Sequence, residues 1–188
     1  MRGFSLLEVL LSLAIAATLV GIAVPVTSSA VDEIRTAAAA RHLAGKISGA
    51  RIDAVRRSSS LALRFEPDGD DYVITTHLDG NGNGVRTAEI RSGIDAALGS
   101  AERIRESHPG VRFGLTAGIA DLDGGISGSE GVRVSAARLL SVSPLGGTTS
   151  GTLYLHGRRS QYAVRVLGAT GRVRVFHYDP GARQWNTR

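Results

Sequence analysis

Arg2-Gly3-Phe4-Ser5-Leu6-Leu7-Glu8-Val9-Leu10-Leu11-Ser12-Leu13 opens the chain and runs on apolar to Pro25-Val26. Val9 to Val26 is eighteen residues without a charge, about the minimum that crosses a bilayer as a helix. The chain is therefore expected to begin in a membrane. Glu8 is the anomaly, because a carboxylate in hydrocarbon costs roughly 2.5–3.5 kcal/mol near a helix centre, less near an end, and is usually held by a partner. Two plainer readings compete. Either Glu8 snorkels to the interface of an ordinary signal anchor, or the segment is a secretory signal cut after Ser28-Ser29-Ala30. The second reading is the weaker, since its apolar region is overlong, contains an acid and is preceded by a single Arg.

The pattern continues beyond the apolar run. Ala40, Leu43, Ile47, Ala50 and Ala54 recur at spacings of three and four, which places them on one face of a helix, with Arg41, Lys46, Arg51 and Arg56 on others. A helix from about Ser5 to Arg57 reaches roughly 80 Å at 1.5 Å per residue. Gly21 and Pro25 mark where it bends or unwinds, because proline removes an intrahelical hydrogen bond and clashes with the carbonyl four residues earlier.

Gly3-Phe4-Ser5-Leu6-Leu7-Glu8 followed by an apolar run resembles the N-terminal signature of type IV pilins and type II secretion pseudopilins. The resemblance implies cleavage by prepilin peptidase after Gly3, N-methylation of Phe4, and pairing of Glu8 with the terminal amine of a neighbouring subunit. Pairing suits the physics, since a buried carboxylate and a buried ammonium each cost several kcal/mol alone and offset much of that together. Pro25 falls where pilins carry a helix-kinking proline. Ser143-Pro144-Leu145-Gly146, Gly151-Thr152-Leu153-Tyr154-Leu155 and Gly171-Arg172-Val173-Arg174 are similar to the closing pattern of the GspH/FimT pseudopilin domain.

At 188 residues the chain holds one domain besides the anchor. There are no cysteines, so neither disulfides nor thiolate metal sites are available. With 24 glycines and 5% aromatic residues, the head should be β-rich with a light core and many turns. The net charge of +5 is uneven: Thr152 to Arg188 carries seven arginines against Asp179, or +6. Such asymmetry points to a polyanion or to a solvated sheet face in an arginine-favouring protein, the latter fitting a chain whose only lysine is Lys46.

Leu61, Leu63 and Phe65 alternate as a strand, Glu66 to Asp71 is turn chemistry, and Tyr72 to His77 returns as the second strand of a hairpin. Asp79, Asn81 and Asn83, followed by Gly84, reproduce the start of a calcium loop, but the twelfth position holds Ile90, with Glu89 one place early. A Gly/Asn turn is the expected state there. Ile94, Leu98 and Ala101 suggest a short helix, and Val111 to Phe113 a short strand. Residues 114–131, with six glycines and three acids, read as a long surface excursion with little order. Strands follow near 132–134, 139–142, 152–156, 162–167 and 172–178, in antiparallel hairpins forming a half-buried sheet over the helix.

No Gly-x-Ser-x-Gly elbow, His-Glu-x-x-His, phosphate loop or dinucleotide fingerprint occurs, and His42, His77, His108, His156 and His177 lack ligand spacing. Neither catalysis nor a cofactor is expected. The resulting expectation is an α+β, pilin-like fold: a leader at 1–3, a transmembrane half-helix at 4–26, an amphipathic half at 27–58, and an antiparallel β-sheet head at 59–188. The resemblance implies a minor pseudopilin of a type II secretion pseudopilus, single-pass in the inner membrane with its head in the periplasm. Its partners would be prepilin peptidase and other pseudopilins or pilins. The alternative is a FimT/FimU-type minor pilin that binds DNA for uptake, since in some FimT-type proteins a C-terminal Gly-Arg-x-Arg contributes to DNA binding. Arg172 and Arg174, with Arg158 and Arg159, would then contact phosphate.

Overall fold

The computed structural model describes residues 5–125 and 128–188, with the side chains of 22–26 also outside the description. Leu6–Arg57 forms one α-helix of 52 residues, α1, which stays helical through position 25. Ser5 caps it by accepting the Glu8 N–H on its side chain at 3.3 Å, satisfying one of the amides that a helix start leaves open. Ser58 ends it in the left-handed region at φ 50°, its N–H turned back to the carbonyls of Ala54 and Val55. Among the described residues no helix is long and apolar enough to cross a membrane. The uncharged stretch 9–26 read from the sequence ends in residues outside the described side chains.

Among its described residues the head has ten strands and two short helices: β1 (Leu61–Asp68), β2 (Asp71–Leu78), α2 (Thr87–Ser92), β3 (Glu102–Arg103), α3 (Ile104–Ser107), β4 (Arg112–Phe113), β5 (Val132–Arg133), β6 (Leu139–Val142), β7 (Gly151–His156), β8 (Gln161–Leu167), β9 (Arg172–Asp179) and β10 (Gln184–Thr187). They form two antiparallel sheets. The first is ordered β3-β2-β1-β6 and the second β10-β9-β8-β7-β4, with β5 also paired to β7. The protein is thus α+β, a long N-terminal helix packed on antiparallel sheets.

The helix face read from the sequence is the one that is buried: Ala40, Leu43, Ile47, Ala50 and Ala54 all lie in the core. They meet Leu61, Leu63 and Phe65 of β1, Leu140 and Val142 of β6, and Leu153, Leu155, Val164 and Val166 of β7 and β8. Each strand contributes alternate residues, the period-2 pattern that lets one sheet face cover the helix.

Two expectations are corrected, and one strand is added. The helix expected over Ile94 to Ala101 is absent; α2 and α3 stand on either side of it. There the buried Asp95 accepts the backbone N–H groups of Gly80 and Arg86, and Gly93 and Gly99 take positive φ, so the chain wraps under the Asp79 loop instead of coiling. The excursion is ordered across its described residues: Leu115, Ile119 and Leu122 pack with Tyr154, Ala163, Phe176 and Trp185 on the outer face of the second sheet. Beyond the strands read from the sequence, β10 follows β9, and Trp185 pairs with Tyr178 between them.

Candidate assembly surface and arginine sites

The first third of α1 is set apart from the head. Leu6, Leu7, Leu10, Leu13 and Leu19 are between 55% and 78% exposed, so this stretch presents apolar side chains all round. A helix that is hydrophobic on every face is one that something else surrounds. Glu8 stands exposed in its first turn, with no cation partner among the described residues. Gly3 and Phe4 lie outside the described residues. Pro25 lies within the helical backbone of α1, its side chain outside the description.

Where α1 reaches the head, Asp32 staples it to the turn between β7 and β8. Its carboxylate accepts the backbone N–H groups of Arg158 (2.8 Å), Arg159 (3.0 Å) and Ser160 (3.1 Å), and the Ser160 hydroxyl (2.8 Å). Thr36 shares that hydroxyl at 2.7 Å. Burial pushes the Asp32 carboxyl up, but the hydrogen bonds from Arg158, Arg159 and Ser160 outweigh it and hold the group below its ordinary value. Gly157 is required here because a Cβ would collide with the Asp32 carboxylate and the Thr36 hydroxyl.

The four arginines singled out in the sequence divide into two pairs. Arg158 and Arg159 are exposed at the Asp32 turn, whereas Arg172 and Arg174 are exposed at the start of β9, alongside the far end of β8. β8 has seven residues, so roughly 23 Å separates the pairs. Gly171 precedes the second pair at φ 62°, and its carbonyl accepts Arg51 Nη1 at 3.3 Å. Arg174 faces Arg165 directly across the β8–β9 ladder, a like-charge pair that is unfavourable alone. Asp123 offsets it by accepting Arg165 Nη2 at 2.6 Å. Asp121 likewise pairs with Arg133 at 3.0 Å, and Glu130 with Arg138 at 3.1 Å. The acids of the excursion are therefore counter-charges to neighbouring arginines.

The Asp79 loop closes on itself. Asp79 accepts the N–H groups of Asn81, Gly82 and Gly84, and Glu89 Oε1 receives the side-chain amides of Asn81 and Asn83 at 3.0 and 2.8 Å. Among the described residues no group of three His, Cys, Asp or Glu side chains is placed to hold a metal. Two of the histidines do come together: His42 Nδ1 lies 3.2 Å from His108 Nε2, beside Glu102, which Lys46 meets at 2.7 Å. Burial, then the neighbouring His42, holds the His108 imidazole below its ordinary value. No spacing rule finds such a pair, since its members are 66 residues apart. In comparisons with known proteins, no family model, no curated protein and no solved structure matches the chain.

Proposed function

We propose that the protein is a filament subunit of the type IV pilin kind, a GspH/FimT-type minor pseudopilin serving a type II secretion pseudopilus. The observation that carries this reading is the division of α1: its second half buries one face against the head, while its first third exposes apolar side chains on every side, beginning with a Glu8 that has no cation partner among the described residues. Such a helix suits two successive surroundings, lipid before assembly and the helices of neighbouring subunits after it. In both, Glu8 needs a cation, and the N-terminal amine made by cleavage after Gly3 supplies one. The role is mechanical, with the sheets presented outward to partners or cargo.

The test combines processing and incorporation. In cells with prepilin peptidase the intact mass should correspond to a chain starting at methylated Phe4. Glu8→Ala should reduce incorporation into filaments severalfold while leaving the head's thermal midpoint unchanged. Met1 retained in the mature chain, or normal incorporation of the variant, would sink the assignment.

A second reading is favoured by one observation: Arg172 and Arg174 are exposed and have no acid partner among the described residues. A minor pilin that captures DNA would use them on phosphate. Its affinity for duplex DNA should then fall steeply with salt and be lost in Arg172→Ala/Arg174→Ala. Absence of binding at low salt leaves the secretion reading in place.

A further inference from the structure

We infer that Arg35, Arg158 and Arg159 form a collar that binds the phosphates of anionic phospholipids where α1 leaves the membrane. The inference rests on the membrane placement proposed for the N-terminal stretch. Its starting point is the Asp32 staple, which fixes the β7–β8 turn at one level of the helix. Asp32 is six residues beyond Val26, roughly 9 Å along the helix axis. The headgroup layer of one leaflet is about 5–8 Å deep, so the turn stands at its outer edge. Arginine side chains reach back from such a position while keeping their stems on apolar surface.

The charges at this level are not balanced among themselves. The Asp32 carboxylate is occupied by the backbone amides and the hydroxyl of the turn, and Glu33 is paired with Arg188 at 3.1 Å. Arg35, Arg158 and Arg159 are exposed, and none has an acid partner among the described residues. Arg35 and Arg158 also line a recess of about 290 Å³ with Val31, Pro109, Gly110 and Asp32, whose carboxylate is already taken up by the amides and hydroxyl of the turn. An anionic headgroup complements it in charge and in depth. The collar would hold the head down on the leaflet until the subunit is drawn into a filament.

The full chain, purified in detergent, is reconstituted into phosphatidylcholine vesicles with or without phosphatidylglycerol, each carrying a dansyl-headgroup lipid. Trp185, the single tryptophan, is the donor; it lies three residues from Arg188 and so near the Glu33 level. Energy transfer should rise with phosphatidylglycerol and fall back in high salt. Arg35→Gln/Arg158→Gln/Arg159→Gln should remove the rise, each arginine changing the docked-to-undocked ratio roughly fivefold, with the thermal midpoint held. Transfer indifferent to phosphatidylglycerol, in a chain that stays with carbonate-washed vesicles, overturns the collar alone. A response that persists in the triple variant also overturns it. Release from neutral vesicles on the carbonate wash overturns the membrane placement and the collar together. Duplex DNA binding that the same triple variant loses assigns these arginines to a polynucleotide and overturns the lipid proposal.

Discussion

Asp32 is one carboxylate that substitutes for an anion in a cradle of backbone amides. Three consecutive N–H groups of a turn point at it, an arrangement that otherwise attracts a free anion. Because its pKa is lower folded than unfolded, the unfolded chain takes up the proton first on acidification. The stability it contributes is complete above the ordinary carboxylate value of 3.8 and is lost as pH falls through the lower folded value. Asp32→Asn keeps one acceptor and turns an amide donor toward N–H donors. At neutral pH the variant should lose about 1–2 kcal/mol, the lower part of the range for hydrogen bonds to a charge because the site is partly exposed. Its thermal midpoint should also fall less than that of the parent between pH 5 and pH 2.5. Parallel pH profiles for the two proteins would show that the carboxylate's charge contributes nothing.

At the scale of elements, what was legible in the sequence was what repeats locally. The buried face of α1 and the β1–β2 hairpin follow from three-four and alternate spacing, and both are found with nearly the residues expected. The excursion was not legible, because its order comes from partners elsewhere in the chain. Leu115 and Leu122 are too sparse to show a period, and they acquire a place only once Tyr154 and Ala163 form a floor beneath them. The Leu122 N–H donating to the Tyr154 hydroxyl at 3.1 Å and Trp185 Nε1 donating to the Ala120 carbonyl at 2.9 Å have no sequence signature. Among the candidate residues, glycine was the informative type at both arginine sites: Gly157 makes room for Asp32, and Gly171 supplies the turn before Arg172. What the sequence did not reveal is that the two sites face opposite ends of β8, which depends on strand register.

For the whole molecule, α1 has two unlike regions, and mutations in them should separate stability from assembly. Among the described residues no strand of one sheet pairs with a strand of the other, and both sheets are covered by the same helix face. Ile47 is 1% exposed. Ile47→Ala leaves a cavity under both sheets and should cost about 2–5 kcal/mol, a fall of roughly 5–15 °C for a chain of this size. Because the helix is common to both sheets, the loss should appear in one cooperative transition, whether followed by Trp185 fluorescence on the second sheet or by hydrogen exchange in β1 and β2 on the first. Leu13, at 66% exposed, touches nothing in the head, so Leu13→Ala should leave that transition within about 0.5 kcal/mol of the parent. Its effect should fall instead on the amount of subunit recovered in filaments, where Ile47→Ala at a permissive temperature should be near normal. If Leu13→Ala lowers the head's midpoint as Ile47→Ala does, the two halves of α1 are a single folding unit, and the exposed third is not the detachable assembly element argued for above.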